Sequence, residues 1–234
     1  MAARTIAIGD IHGCSAALAA LIDASAPNAE DTIVALGDYI DRGPESRGVL
    51  ERLIALAARC RFVPILGDHE EMLLDALRDN ANLRKWLGCG GAETLRSYGW
   101  APGSHRRRLA DWIPEAHRRF LNSCVPYHET ATHVFIHAGF VPDLPMAQQP
   151  ALALRWRVTD AQTASPHCSG KTAIVGHTRQ VSGEVLNLGF LSCIDTNCVR
   201  GGWLTALDAY TGRIWQADSA GRLRVGGDRR GSRQ

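Results

Sequence analysis

Five times in this chain a short apolar run gives way to glycine together with a carboxylate or an imidazole. The runs are Thr5 to Ile8, Thr32 to Leu36, Phe62 to Leu66, His133 to Ile136 and Thr172 to Val175. Each is too short for a helix and rich in branched side chains, the pattern of a buried strand. They lead into Gly9-Asp10-Ile11-His12-Gly13, Gly37-Asp38-Tyr39-Ile40-Asp41-Arg42-Gly43-Pro44, Gly67-Asp68-His69-Glu70, His137-Ala138-Gly139 and Gly176-His177-Thr178. Between the early runs the leucine and valine spacing predicts helices over Ser15 to Ala26, Glu45 to Arg59 and Glu70 to Leu77. Strand, loop, helix, strand implies an α/β fold with a largely parallel sheet, whose strand-end loops share one rim. A single Gly-Asp is an ordinary turn, and a single strand-end histidine is an ordinary polar group. Five in series, each beside a glycine that lets backbone approach closely, specify a site.

The remainder of the chain frames that site. Leu83 to Ser123 is helical in pattern and studded with arginine, with a break at Gly88 to Gly91, and is expected to form a cap or a side wall. Glu184 to Asn187, Phe190 to Asp195, Trp203 to Asp208 and Arg213 to Ala217 are short runs between glycine turns, expected as an antiparallel meander. A length of 234 residues with 45% hydrophobic side chains suits one domain over 1–225, leaving a glycine- and arginine-rich tail, 226–234, expected to be disordered. No apolar run reaches the length of a membrane span, and Met1-Ala2-Ala3-Arg4 leads straight into a strand, so neither membrane insertion nor secretion is expected. The 26 basic and 24 acidic residues nearly cancel and the aromatics are scattered singly, so nucleic acid is not an expected partner. Arg106-Arg107-Arg108 and Arg118-Arg119 read as a solvated helix face. Seven cysteines without a C-x-x-C pair read as reduced thiols of a cytoplasmic protein, the closest pair, Cys193 and Cys198, only packing.

Carboxylates mixed with imidazoles suit Mn²⁺, Fe or Zn²⁺, and the lack of cysteine in the set argues against structural zinc. Six such residues exceed the needs of one catalytic ion. They suit two ions sharing a bridging carboxylate, an arrangement that polarises a phosphoryl group and makes hydroxide available at neutral pH.

The order GDIHG, GDYIDRG, GDHE, HAG, GHT resembles the metallophosphoesterase superfamily, and specifically its phosphoprotein phosphatase branch. Glu70-Glu71-Met72-Leu73-Leu74, Gly90-Gly91 with Thr94-Leu95 and Ser97-Tyr98-Gly99, and Ile194-Asp195-Thr196 with Gly201-Gly202 and Leu204-Thr205 resemble the small bacterial and phage serine/threonine phosphatases. The resemblance runs from about Thr5 to Ala217 and extends to the symmetrical diadenosine tetraphosphatases. It implies an αββα sandwich, two mixed sheets flanked by helices with metals at the rim. It also implies two divalent ions, Mn²⁺ with Fe or Zn²⁺ as alternatives. Asp10 and His12 would bind the first, Asp38 would bridge, and Asp68, His137 and His177 would hold the second. Hydroxide between the ions would attack phosphorus in line. His69 would be the general acid, Asp41 its orienting carboxylate, and Arg42 and Arg157 the phosphate clamp, with Arg155 a near competitor of Arg157.

Two departures from the family pattern stand out. Position 68 is aspartate where the branch carries asparagine, and Arg179 follows Thr178 where proline is usual; Arg179 reads as solvated. Two carboxylates and a hydroxide against two divalent ions leave one positive charge, which an ionised Asp68 cancels. The second metal should then bind more tightly, and the pKa of the bridging water should rise. The implied activity is a metal-dependent serine/threonine phosphatase acting on a phosphoprotein or phosphopeptide. The alternatives are a nucleoside polyphosphate hydrolase and a non-catalytic scaffold that binds metal or phosphate.

Overall fold

Along β1 (Thr5–Ile8), Ile6 and Ile8 face one way and Ala7 the other, and this two-residue period builds the layers. The structure, a computed structural model, describes residues 3–101, 103 and 108–225. After β1 come α1 (Ser15–Ser25), β2 (Thr32–Ala35), α2 (Ser46–Ala57), β3 (Arg61–Pro64) and α3 (Asp68–Arg78). The cap carries α4 (Leu83–Trp86), α5 (Ala92–Ser97), α6 (Leu109–Trp112) and α7 (Glu115–Asn122). Then follow β4 (Tyr127–Glu129), β5 (His133–Ile136), α8 (Ala151–Trp156), β6 (Thr172–Val175), β7 (Leu186–Asn187), β8 (Leu191–Cys193), β9 (Leu204–Asp208) and β10 (Ile214–Ala217).

Two five-stranded mixed sheets result, ordered β10-β9-β1-β2-β3 and β4-β5-β6-β8-β7. Ala7, Val34, Leu36 and Ile65 of the first meet Phe135, Ile174 and Ile194 of the second. On the far face of the first sheet, Ile6, Ile8 and Ile33 bury against Leu18 and Leu21 of α1 and Val49, Leu50 and Leu53 of α2. The far face of the second packs Val134, Ile136 and Val175 against Met146 and Leu154. Each such branched side chain contributes about 1.5–3 kcal/mol by leaving water. The architecture is the expected αββα sandwich, and the five apolar runs fall on strands as read.

Three local readings need correction. The last strands do not form one meander: β7 pairs with β8, which lies parallel to β6, whereas β10 pairs with β9, which lies antiparallel to β1. Turn residues report a reversal, not which sheet receives the next strand. The helix expected from Glu70 starts at Asp68, because Glu70 reaches back to the Gly67 N–H and caps a polar first turn. The half-exposed edge strand β4, antiparallel to β5, carries no apolar run and was missed. The described residues of the cap segment carry the helical turns expected, broken at Gly90 with φ of +112°. Cys193 and Cys198 pack into different cores. The tail 226–234, and Arg106 and Arg107, lie outside the described residues. Among the described residues no helix is long and apolar enough to cross a membrane.

The start of β1 is anchored by charge. The Arg4 backbone N–H and guanidinium donate to the fully buried Asp31 at 2.8 and 2.6 Å. Burial disfavours the Asp31 anion, but the bonds from Arg4 and Asn28 outweigh it and hold its pKa down to about 2. A depressed carboxylate stabilises fully above its unfolded value and loses that contribution as pH falls through the folded one. Asp31→Asn should therefore cost about 2 kcal/mol at pH 7. In urea titrations its deficit against wild type should close as pH falls from about 4 to about 2; a deficit unchanged with pH would contradict this origin.

Candidate active site

A single buried carboxylate fastens two of the strand-end loops together. Glu70 accepts the N–H groups of Asp38 and Gly67 on one oxygen, at 2.8 and 3.2 Å, and those of Tyr39 and Ile40 on the other, at 2.9 and 3.3 Å. Burial pushes its pKa up, although nearby imidazoles and these donors act the other way. The strand-end loops are strained: His12, Asp38, Asp41, Arg42 and His177 all have positive φ, between +43° and +72°. Each such residue costs on the order of 1 kcal/mol and persists only where its surroundings dictate it.

One ligand atom from each of Asp38, Asp68, His137 and His177 lies within 4.8 Å of the others, and the same is true of His12, Asp38 and His69. Asp38 belongs to both sets. His137 Nδ1–H donates to the Leu36 carbonyl at 2.8 Å, so its Nε2 faces Asp68 and Asp38 at 3.0 and 3.4 Å. His12 Nδ1–H donates to the Ile40 carbonyl, leaving Nε2 at 3.3 Å from Asp38. His177 Nδ1 is 3.1 Å from Asp68. Asp10 enters neither converging set. Its carboxylate takes the His177 backbone N–H at 3.0 and 3.2 Å, and a Cβ on Gly176 would collide with it.

The electrostatics favour a cationic guest. Burial, aided by Asp195 for Asp10 and by Asp68 and Glu70 for Asp38, raises both carboxyl pKa values well above normal. Asp68 goes the other way: burial would raise it, but bonds from His137 and His177 hold it far below the usual range. Burial alone would lower His137, yet its bond to Asp68 and the charges of Asp10, Asp68 and Glu70 bring it to about 9. Crowded carboxylates and oriented imidazole nitrogens, with no thiolate, fit two hard or borderline divalent ions.

His69, a member of the second set, also belongs to a dyad. His69 Nδ1–H donates to Asp41 at 2.7 Å, and the buried Nε2 has no hydrogen-bond partner among the described residues. Asp41 also accepts the Trp86 indole N–H at 2.9 and 3.1 Å and the Thr94 hydroxyl at 2.6 Å. Burial raises its pKa despite these bonds. Trp86 escaped the sequence reading, as did the role of Thr94; Gly91 is the signal for Trp86, since a Cβ there would strike its ring. Arg42 Nη1 donates to His12 Nε2 at 2.7 Å. Burial, with the charges of His69 and Arg42, pushes the His12 pKa well down, leaving its ring neutral. Arg155 is tied to Glu71 at 2.7 Å, whereas Arg157 is exposed and its backbone and Cβ lie against the Gly139 position. Arg179 is exposed as read.

The chain matches the calcineurin-like phosphoesterase family over residues 3–145. It is 40% identical to serine/threonine-protein phosphatase 1 of Salmonella typhimurium over 85 residues, 36% of this chain and 37% of that one. It is 41% identical to the symmetrical bis(5'-nucleosyl)-tetraphosphatase of Burkholderia pseudomallei over 69 residues, 30% of this chain and 24% of that one. The aligned segments thus span well under half of these curated relatives. A crystal structure assigned provisionally to a diadenosine tetraphosphatase superposes with a TM-score of 0.67 at 24% identity, covering 92% of this chain and 93% of that one. With a family match over more than half of its length, the chain belongs to the calcineurin-like phosphoesterases.

Proposed function

We propose that this chain is a dinuclear-metal phosphohydrolase whose substrate is a serine/threonine phosphoprotein. Asp38 carries the reading, because it stands in both converging donor sets. Asp10 and His12 would hold one divalent ion, Asp68, His137 and His177 the other, and Asp38 both. Mn²⁺ suits this oxygen- and nitrogen-rich set, with Fe or Zn²⁺ next. When bound, such a pair supplies Lewis acidity toward a phosphoryl oxygen and lowers the pKa of water.

The chain's own residues do the rest. Arg42 and Arg157 bind the non-bridging phosphate oxygens, for which planar guanidinium forks are shaped. His69 delivers a proton from Nε2 to the departing oxygen. Asp41 fixes the opposite ring nitrogen and with it the orientation of the ring. Trp86 and Thr94 hold the Asp41 carboxylate in the plane this requires. Water attacks phosphorus in line as the bond to the departing oxygen breaks, with no phosphoenzyme. The identity to serine/threonine-protein phosphatase 1 supports the phosphoprotein substrate, and seven free cysteines support a cytoplasmic location. A second reading, hydrolysis of a nucleoside polyphosphate, has the support of the tetraphosphatase match. A silent scaffold is disfavoured, since it would have no use for a buried imidazole nitrogen left unpaired beside the donors.

Metal binding should appear in calorimetry as a rise in melting temperature with Mn²⁺, about 2.7 kcal/mol of stabilisation at a hundredfold excess over the dissociation constant. Asp68→Asn should weaken one of the two sites about tenfold or more and shift the acidic limb of the rate profile downward. Unaltered affinity and pH profile in this variant would refute the charge argument. In side-by-side initial rates after chelation and Mn²⁺ add-back, a phosphothreonine peptide should be turned over faster than diadenosine tetraphosphate. His69→Asn should lower kcat by about 10²–10⁴ while leaving metal affinity intact. The reverse substrate preference would move the assignment to nucleotide hydrolysis.

A further inference from the structure

We infer that Lys85 is a specificity-determining residue that receives an acidic side chain next to the phosphorylated residue of the substrate, an inference that rests on the phosphoprotein reading. Lys85 is exposed, and its Nζ stands over the Trp156 ring, 5.3 Å from the centroid. The same indole packs edge-on against His177, with centroids 6.5 Å apart, and immediately precedes Arg157. Trp156 therefore touches both the donor cluster and the lysine, so the ammonium sits at the mouth of the site and outside the donor set.

Its position is dictated from two sides. Next to it on α4, Trp86 is fully buried and bonded to Asp41, which fixes the short helix against the site. Trp156 is in turn held by Glu71, whose Oε2 accepts the indole N–H at 2.8 Å while Oε1 pairs with Arg155 at 2.7 Å. Glu71, one helical turn after Asp68, is thus used on both oxygens by residues other than Lys85. Among the described residues Lys85 makes no ion pair. Its positive charge is held against an aromatic face, without neutralisation, beside the place where a phosphate would bind.

The partner of such a cation is an anion lying beyond the scissile phosphate. An extended peptide advances about 3.3–3.6 Å per residue, so a carboxylate one or two residues from the phosphorylated position reaches across an indole-sized gap. On the phosphoprotein reading, that anion is a side-chain carboxylate of the peptide.

The test compares phosphothreonine peptides that differ only in flanking aspartate, alanine or lysine, assayed on the Mn²⁺-loaded full chain. Affinity for the corresponding non-hydrolysable phosphonate peptides is measured by fluorescence anisotropy. Wild type should favour the aspartate-flanked peptide over the alanine-flanked one by about three- to fivefold, the scale of an exposed ion pair, in KM and in affinity more than in kcat. Lys85→Met should bring that ratio near unity, and Lys85→Glu should turn the preference toward the lysine-flanked peptide. Peptide turnover with the same ratio in all three proteins would overturn this inference and leave the phosphoprotein reading standing. Turnover of diadenosine tetraphosphate without turnover of any peptide would overturn both.

Discussion

The Glu70 carboxylate is the interaction on which the site depends. It belongs to α3 yet takes four backbone N–H groups, three of them from the loop after β2, and so joins two loops that the sheet alone would leave independent. Those loops contain Asp38, Asp41, Asp68 and His69. An anion with four donors in a dry interior is far stronger than the same group in water, and its loss would leave those donors unpaired as well. The positive φ values of Asp38, Asp41 and Arg42 are tolerated on this account. Without a fixed anchor the loop would relax to commoner conformations, and the side chains would no longer converge.

The cap is coupled to the same construction. Trp86 and Thr94 come from α4 and α5, more than forty residues after Asp41, and both end on its carboxylate. Ser46 and Thr94 also receive the Asp41 backbone N–H. The cap thus sets the orientation of His69 through one intermediary, and Gly91 is required where the Trp86 ring passes over the chain. A helical segment that reads as a side wall is, in its chemistry, part of the proton-donating apparatus in the proposed mechanism.

Much of this was legible in the residues, for physical reasons. Buried strands of four residues must be apolar, and donors at their ends need neighbouring glycines, so both signals are local. Asp10, His12, Asp38, Asp68, His137 and His177 stand out on that basis, and the structure places all six at one rim, Asp10 turned toward the His177 backbone instead of into a converging set. What escaped is long-range or hidden by polarity. Glu70 looks like one more acid at a helix start, and only the fold shows its oxygens turned onto the β2 loop. Trp86 resembles an ordinary core aromatic until Asp41 is beside it. The edge strand β4 lacks an apolar run, and the strands after residue 185 alternate correctly while joining different sheets.

Anomalous diffraction from crystals grown with Mn²⁺ tests the central claim most directly, because it locates each ion independently of turnover. Two peaks should appear at the rim, both within coordination distance of Asp38, one toward His12 and one between Asp68, His137 and His177. A single peak, or two peaks that do not share Asp38, would contradict the bridged pair on which the proposed chemistry rests.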